Sequence, residues 1–312
     1  MRFGAAFWVQ RTGWPELRDA VLRAEAAEFD DVWIDDHLLN DEGDWNAGKL
    51  EAWTTLAALA AVTSRAHLGH MVVANTFRNP GLVAKMTATV DHVSGGRAIL
   101  GLGAGWFERE HEAFGLEFGP WIGQRIDRLG EATDIIRRLL DGERVTHDGP
   151  HYRLRDALCE PRPVQAHLPM LIGGSGPKKT IPIVARHADM WNAYGTPERV
   201  AAADAVLRDA CAAIGRDERE IERTVNVNVV IRRDRTAAMA AWADYASRHL
   251  PLDTEKALDA GGTIDEVASA LRRYADVGFR HPILVFRTPF DVETIDRLPE
   301  LRVALESRDP ED

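Results

Sequence analysis

Short apolar runs alternate with longer amphipathic segments along the chain, and this alternation constrains the fold most strongly. Eight runs have the length and composition of buried strands: Phe3–Trp8, Asp31–Ile34, His67–Val73, Ala98–Leu102, Pro169–Ile172, Met190–Ala193, Val225–Ile231 and Pro282–Phe286. Between them lie segments with helical spacing: Pro15–Phe29, Leu50–Ser64, Asn79–Val93, Gln124–Leu140, Lys178–Arg186, Pro197–Ile214, Thr236–His249 and Ile264–Val277. This series predicts a parallel α/β fold, and eight strands are the number that closes a (β/α)8 TIM barrel.

One segment, at about residues 141–168, interrupts this rhythm. It is longer than an ordinary connection, and its stretch VTHDGPHYRL alternates in polarity around Asp148–Gly149. We therefore expect a small hairpin inserted after the fourth strand. The length suits a single barrel domain over residues 1–306, and the polar end at 307–312 is expected to fray.

The charge and cysteine content disfavour several classes of partner. The 312 residues carry a net charge of −11 without a long basic run, so neither nucleic acid nor an anionic membrane is expected to bind. Cys159 and Cys211 are far apart and lack metal-ligand spacing, which is typical of a reducing compartment. Without a signal-peptide pattern or a long apolar run, the chain is expected to be a soluble cytoplasmic protein.

The stretch ILGLGAGWFEREHEAFG, residues 99–115, carries glycines at positions 101, 103 and 105. A dinucleotide-binding turn has the pattern G-x-G-x-x-G in the first strand–helix unit of its fold. Here the pattern is G-x-G-x-G and it follows the fourth strand, so a Rossmann-type site is disfavoured.

A second glycine-rich turn, LIGGSGPKKT at residues 171–180, is similar to a nucleotide-binding P-loop. Lys178 stands where the last glycine of that loop belongs, which argues against a nucleoside triphosphate. Gly174, Ser175 and Gly176 still let backbone approach a ligand, and Pro177 suits a helix start whose N–H groups face an anion. We predict a phosphate site, the alternative being a turn that is glycine-rich only for tight packing.

The catalytic groups of a parallel barrel lie at the carboxyl ends of its strands. Aromatic and amide side chains dominate these ends, and His37, after the second strand, is the clear acid–base candidate. We predict that His37 transfers a proton or hydrogen-bonds a cofactor. The alternative is a histidine that only caps the following loop.

Metal and serine-hydrolase sites are disfavoured by residue spacing. His37 falls on a different element from His67 and His70, and neither H-E-x-x-H nor G-x-S-x-G occurs. Glu108, His111 and Glu112 could together bind a metal, but such a cluster is more commonly a solvated helix start that complements the helix dipole. We predict no metal site.

The order of five segments, VWIDDH, HMVVANTFRNP, SGGRAILGLGAGWFEREHEAFG, GQRIDRLGEA and MLIGGSGPKKT, resembles the bacterial luciferase-like superfamily of flavin and deazaflavin oxidoreductases. The resemblance covers roughly residues 1–290 and is greatest for the branch that uses coenzyme F420. It implies a TIM barrel with an insertion after strand four and a cofactor ring at the carboxyl mouth. Because dimers are common in the family, it also implies a homodimer.

The resemblance further implies which residues bind the cofactor. They are Asp36 and His37 near the ring, Met71 and Val72 at a non-prolyl cis peptide bond, Gly103, Ala104 and Gly105 at the adjoining turn, and Arg125, Gly174, Ser175 and Gly176 at the phosphate. Flavin-using luciferases carry an arginine at the position of Ala104, so alanine there favours the deazaflavin. F420-dependent sugar-phosphate dehydrogenases carry a glutamate at the position of Trp106, which disfavours that substrate and leaves the proton donor open.

Together these features predict an F420-dependent oxidoreductase that moves a hydride between C5 of the deazaflavin and a small organic substrate. His37 would donate or accept the accompanying proton, or polarise the substrate oxygen. The apolar walls of the substrate pocket would be Phe7, Trp8, Trp106 and Trp191. The alternatives are an FMN-dependent monooxygenase that activates oxygen, and a barrel without catalytic activity that binds a flavin-like ligand or a partner chain.

Overall fold

A computed structural model describes residues 1–249 and 258–307 of the chain. Its strands are β1 (Gly4–Phe7), β2 (Asp31–Ile34), β3 (His67–His70), β4 (Val73–Ala74), β5 (Ala98–Gly103), β6 (Val145–Asp148), β7 (Arg153–Ala157), β8 (Met170–Gly173), β9 (Met190–Ala193), β10 (Glu222–Val227), β11 (Val229–Ile231), β12 (Ala260–Gly262) and β13 (His281–Phe286). Its helices are α1 (Trp14–Ala26), α2 (Ala52–Val62), α3 (Pro80–Ser94), α4 (Glu108–Phe114), α5 (Ile122–Leu140), α6 (Thr180–His187), α7 (Pro197–Ala213), α8 (Arg235–His249), α9 (Ile264–Asp276), α10 (Val292–Asp296) and α11 (Leu298–Glu306). Of the tail expected to fray, residues 308–312 lie outside the described residues.

Eight parallel strands close into a barrel, in the order β1, β2, β3, β5, β8, β9, β10 and β13. The ring is complete because β13 pairs with β1 as well as with β10, so that Gly4 lies opposite both Ile283 and Asp31. The predicted (β/α)8 TIM barrel is therefore confirmed. Its carboxyl strand ends converge on one face, which is where such barrels carry their sites.

Alternate residues of each barrel strand point to opposite sides. The inward-facing apolar residues fill the barrel as one cluster: Ala6, Trp33, Met71, Ile99, Leu171, Met190 and Ile283. Gly69 makes room for the largest of these, because a Cβ atom there would lie 2.6 Å from the Trp33 ring. The outward-facing residues pack with the helices into a second and larger core.

Two predicted strands are divided. The third, predicted over His67–Val73, is interrupted at residues 71–72 between β3 and β4. The seventh, predicted over Val225–Ile231, leaves the barrel after Val227, and β11 then pairs in parallel with β12 in a separate sheet. Apolar residues on both sides of each break hid these changes of direction from the sequence pattern.

The insertion after the fourth barrel strand forms the predicted hairpin, in which β6 and β7 are antiparallel. Glu131 on α5 binds the hairpin to the barrel helices. The Glu131 carboxylate accepts a hydrogen bond from the backbone N–H of Tyr152 at 2.9 Å and pairs with His147 at 2.8 Å. The Tyr152 hydroxyl accepts a hydrogen bond from Asn75 at 3.0 Å. The hairpin therefore packs against the flank of the barrel.

The amino ends of the barrel strands are closed by charged side chains. His281 lies 2.9 Å from Asp31 and 2.9 Å from Glu222, and Arg2 forms ion pairs with the same two acids. Burial acts to lower the pKa of His281, but the two carboxylates outweigh it and raise that pKa to about 9. Within the described residues, no helix is long and apolar enough to cross a membrane.

Candidate active site

A cavity of about 930 Å³ opens at the carboxyl ends of the barrel strands. One half is bounded by the ends of β4, β5 and β8, with residues 71–74, 103–106 and 173–176. The other half is bounded by the ends of β1, β2, β9, β10 and β13, and its polar residues include Asp41, Glu42, Asn228, Asp259 and Arg287. Its size and position are those of a small-molecule site in a TIM barrel.

His37 projects into this cavity and is held from behind by Glu110. Its Nδ1 atom lies 2.9 Å from one oxygen of Glu110, and the second oxygen accepts the backbone N–H of Leu38 at 2.8 Å. Glu110 is buried on α4, while Trp106 packs edge-on against the imidazole with 5.5 Å between ring centroids. Glu110 thus fixes the orientation of the ring and leaves Nε2 facing the cavity.

The charge of His37 follows from these neighbours. Burial acts to lower its pKa, but the hydrogen bond to Glu110 and the charges of Asp41, Glu110 and Asp35 outweigh burial and raise it. A raised pKa favours the imidazolium form, in which both ring nitrogens carry a proton. His37 can therefore act as a hydrogen-bond donor or as an acid at the cavity surface.

Asp35 anchors the loop that carries His37. Its carboxylate accepts the backbone N–H of Val9 at 2.8 Å and forms an ion pair with Lys49. Ligand atoms of Asp35, His37 and Asp41 lie within 4.8 Å of one another, a grouping that the sequence analysis did not find. Because Lys49 and Glu110 already bond Asp35 and His37, this grouping is explained without an ion, and we assign no metal to it.

Asp36 also lines the cavity, but both of its oxygens bond the protein. They accept two hydrogen bonds from Arg78, at 2.7 and 3.1 Å, and one from the backbone N–H of Ala74 at 3.1 Å. The peptide bond between Met71 and Val72 is cis, as the resemblance implied. Asp36 and Arg78 therefore hold the segment that follows this bond against the cavity.

The glycine turn after β5 leaves room for its neighbours. A Cβ atom at Gly103 would lie 2.5 Å from Val72, and one at Gly105 would lie 2.6 Å from the Thr76 hydroxyl. Gly105 has a φ of +75°, in the left-handed region that glycine adopts without strain. With Ala104 between them, these residues form a wall of backbone and small side chains against which a flat ring can lie.

The glycine–serine turn after β8 forms the adjoining wall. Gly174 has a φ of +115°, and its carbonyl accepts a hydrogen bond from Trp191 at 2.8 Å. The backbone N–H groups of Ser175 and Gly176 donate no hydrogen bond to any described residue. All three residues line the cavity just before α6, so free N–H groups and the positive end of a helix face the same space.

Two of the four predicted pocket walls, Phe7 and Trp191, were assigned to the wrong side of the barrel. Phe7 is fully buried outside it, where it packs on Phe286 with 5.4 Å between ring centroids. Trp191 is likewise fully buried outside the barrel and packs on Phe279. The reason is strand alternation, because the preceding residues Ala6 and Met190 point inward. The other two predicted walls, Trp8 and Trp106, do line the cavity.

Arg125, the residue implied to reach a cofactor phosphate, does not line the cavity. Its side chain is buried behind the wall, where the guanidinium donates to the carbonyl of Gly105 at 3.2 Å and stacks on Phe118. In this arrangement it supports the glycine turn. The other implied cofactor residues, namely Asp36, His37, Met71, Val72, Gly103, Ala104, Gly105, Gly174, Ser175 and Gly176, all line one cavity.

The cluster at Glu108, His111 and Glu112 is only partly a solvated helix start. Both carboxylates are exposed, but His111 is buried, and its ring nitrogens lie 2.6 Å from the Thr76 hydroxyl and 2.8 Å from the Phe107 carbonyl. Both nitrogens are therefore engaged by protein groups. The buried acid of this helix is Glu110, which the sequence analysis missed because the polar run EREHE has no hydrophobic period that shows its inward face.

Arg287 is a second residue that sequence reasoning missed. It follows β13 and donates to Glu42 at 2.7 and 3.1 Å and to Asn228 at 2.8 Å. Through these hydrogen bonds Arg287 connects the loops after β2, β10 and β13. All three residues line the cavity on the side opposite the glycine turns. The sequence could have indicated Arg287, because it directly follows the last barrel strand, where site residues of such barrels lie.

The fold and cavity are those of a TIM-barrel enzyme with its site at the carboxyl strand ends. A family model described as luciferase-like monooxygenase matches residues 1–285. The chain belongs to this family, which confirms the resemblance seen in its motifs.

Two relatives are both named F420-dependent glucose-6-phosphate dehydrogenase. The protein from Microbacterium testaceum (strain StLB037) is 32% identical, over 93% of this chain and 92% of its own length. The protein from Kineococcus radiotolerans (strain ATCC BAA-149 / DSM 14245 / SRS30216) is 33% identical, over 88% of this chain and 87% of its own. The alignments thus extend over nearly the whole barrel.

A solved structure gives a similar result for the fold. It is an F420-dependent secondary alcohol dehydrogenase in complex with an F420-acetone adduct, and it superposes with a TM-score of 0.82. The superposition covers 98% of this chain and 99% of the other, at 22% sequence identity. At this identity the likeness concerns the fold alone.

Proposed function

We propose that this chain is a coenzyme F420-dependent oxidoreductase that interconverts a small alcohol and its carbonyl partner. The observation that carries the proposal is that a histidine held by a buried carboxylate and a glycine–serine turn with free N–H groups line one cavity. The names of the two relatives support the choice of cofactor. Bound there, F420 supplies or accepts the hydride.

The residues present fit such a group. Its flat ring would lie against Met71, Val72 and the backbone of residues 103–105, where no large side chain intrudes. Its phosphate would accept hydrogen bonds from the free N–H groups of Ser175 and Gly176 and from the serine hydroxyl. Binding energy from the phosphate would then orient the reacting edge toward His37.

The protein's own contribution is to bind the substrate oxygen. Protonated His37 presents Nε2–H to the cavity, and Glu110 holds the ring in place. A hydrogen bond from this imidazolium polarises the carbonyl group and stabilises negative charge that develops on its oxygen. Trp8 and Trp106 give the substrate side of the cavity apolar walls.

Cofactor titration tests the proposal directly. The purified protein, freed of bound small molecules, is titrated with F420 and, separately, with FMN, and binding is followed by cofactor absorbance. We expect micromolar or tighter binding of F420 and at least tenfold weaker binding of FMN. The reverse order would overturn the choice of cofactor and favour a flavin monooxygenase, and binding of neither would favour a barrel without this activity.

The phosphate site has its own variant. Ser175→Asp adds a negative charge beside the predicted phosphate and should weaken F420 binding by at least tenfold. Ser247→Asp, at an exposed position on α8, is the matched control and should leave F420 binding unchanged. Equal affinity of both variants would place the phosphate elsewhere.

We also propose that the enzyme is a cytoplasmic homodimer. Both cysteines are buried and unpaired, which suits a reducing compartment. Apolar side chains are exposed on α2, α3 and the adjacent insertion, at Val62, Leu82, Val93, Leu158 and Val164. Such side chains favour burial between two copies, and sedimentation equilibrium tests the dimer.

A further inference from the structure

Asp41 lies in the loop after β2 and lines the cavity beside His37. One of its oxygens lies 3.8 Å from Nε2 of His37, and its side chain is 12% exposed. The other oxygen, Oδ1, is buried and accepts no hydrogen bond from any described residue. Asp41 is thus nearly enclosed, with one oxygen unpartnered.

The remaining carboxyl groups that line the cavity all have partners. Asp35 pairs with Lys49, Asp36 with Arg78, and Glu42 with Arg287. Glu110 bonds His37 and Leu38, and Asp259 accepts two hydrogen bonds from Asn228. Among the cavity-lining carboxyl groups, Asp41 alone has a buried oxygen without a hydrogen-bond partner in the part of the chain described.

The surroundings of Asp41 favour its neutral form. Burial raises its pKa, and the nearby charges of Asp35 and Glu42 act in the same direction. The nearby cations His37 and Lys49 act against this but do not reverse it. Both have carboxylate partners of their own, Glu110 and Asp35. Tyr194 after β9 and Arg287 after β13 also line this half of the cavity, and Arg287 pairs with Glu42.

We propose that Asp41 is the catalytic residue that gives the substrate oxygen its proton in carbonyl reduction and takes it back in alcohol oxidation. This inference rests on the proposed function. A substrate oxygen within hydrogen-bond reach of both His37 and Asp41 fits between groups that are 3.8 Å apart. His37 then keeps its own proton through the hydrogen bond to Glu110 and the charges of Glu110 and Asp35, and Asp41 carries the proton that is transferred.

The step balances in both directions. As the carbonyl carbon gains a hydride, the π electron pair moves to oxygen, a new O–H bond forms and the O–H bond of the Asp41 carboxyl breaks. The aspartate is left as a carboxylate and is reprotonated from solvent. In the reverse direction the carboxylate takes the hydroxyl proton while the carbon loses its hydride.

Kinetics of three variants test this role. Asp41→Asn keeps the shape but removes the acid, and kcat should fall by about 10²-fold or more, with F420 affinity within twofold of wild type. Asp41→Glu should recover at least tenfold of the loss, because it restores a carboxyl group. Asp44→Asn, at an exposed aspartate of the same loop, is the control and should turn over normally. The assays use a panel of primary and secondary alcohols with oxidised F420, and the corresponding carbonyl compounds with reduced F420.

A second readout does not depend on turnover. The protein is labelled with 13C at the aspartate carboxyl carbons and freed of cofactor. The signal of Asp41 is identified as the one that disappears in Asp41→Asn. This signal should titrate at a higher pH than those of ordinary aspartates. In wild type, the rate of carbonyl reduction should fall with rising pH over the same interval, and this limb should be absent in Asp41→Asn. An ordinary titration of Asp41, or wild-type kcat in Asp41→Asn, would overturn the proposal. If no alcohol or carbonyl compound reacts while Asp41 still titrates high, the proposed function fails instead.

Discussion

One carboxylate oxygen of Glu110 lies 2.9 Å from Nδ1 of His37, while its second oxygen accepts the Leu38 N–H. The two residues are 73 positions apart in the chain. A buried carboxylate at this position both orients the imidazole and favours its charged form. The orientation of His37, in the loop after β2, therefore depends on a residue of α4.

Glu110→Gln should lower the pKa of His37. The glutamine can still accept the Leu38 N–H but no longer offers a negative charge to Nδ1, so the imidazolium loses its main support. We expect kcat near neutral pH to fall by about tenfold to a hundredfold, because less His37 is protonated. NMR titration of labelled histidine measures the shift, with exposed Glu112→Gln as the control. An unchanged His37 titration in Glu110→Gln would contradict this arrangement.

Arg78→Met should destabilise the protein and loosen the cofactor wall. It leaves the Asp36 carboxylate buried without its guanidinium, a change that costs about 3 kcal/mol in comparable buried pairs. We also expect weaker F420 binding, since residues 71–74 lose their support. Urea denaturation measures the free energy of unfolding. Arg18→Met breaks a surface ion pair and should cost less than about 1 kcal/mol. Equal losses in the two variants would refute the role given to Arg78.

Phe7 and Trp8 are adjacent in the chain but should respond differently to truncation. Phe7→Ala opens a void between barrel and helices, and should cost about 3–5 kcal/mol of stability while leaving KM near the wild-type value. Trp8→Ala removes a cavity wall, so it should raise KM by about tenfold with a smaller loss of stability. Thermal unfolding and steady-state kinetics separate the two effects. A raised KM in Phe7→Ala would show that Phe7 reaches the substrate after all.

His281 should make stability depend on pH. Its pKa is about 6.5 in an unfolded chain and about 9 in the folded protein. Because the folded value is the higher one, the contribution of the imidazolium is fully present below pH 6.5 and is lost as pH rises through 9. The total is about 3 kcal/mol, from 1.36 kcal/mol for each pKa unit.

Urea denaturation at several pH values between 6 and 9.5 measures this slope. His281→Gln should lower stability at pH 6 and flatten the decline above it, whereas His92→Gln, at an exposed position on α3, should leave the slope intact. A wild-type slope that persists in His281→Gln would assign the pH dependence to other groups.

Much of the fold could be predicted from local pattern. Eight strand candidates with helices between them sufficed for a closed barrel, and the turn around Asp148–Gly149 marked the hairpin. The two divided strands could not be seen, because Val73 and Val229 are as apolar as the strand residues before them. A run of apolar residues indicates that the segment is buried, but it does not show where the buried chain changes direction.

The prediction of the site was best for the segments that contribute backbone groups to it. Positions 103–105 and 174–176 needed glycine or small residues for conformation and close approach, so sequence identified them and the structure brings them to one cavity. The prediction of the site was poorest for residues whose place depends on the direction in which the side chain points. Trp191 was assigned to the pocket because the phase of alternation along β9 is set only by packing on both sides of the barrel.

The sequence by itself determined the barrel, the family and the identity of His37, because strand count, glycine spacing and motif order are local properties of the chain. Only the tertiary structure decided that Glu110 hydrogen-bonds His37, that Arg125 lies behind the cavity wall, and that Asp41 has a buried oxygen without a hydrogen-bond partner. The physical reason is that ion pairing and burial depend on distances between segments far apart in the chain. Those distances exist only once the barrel has closed.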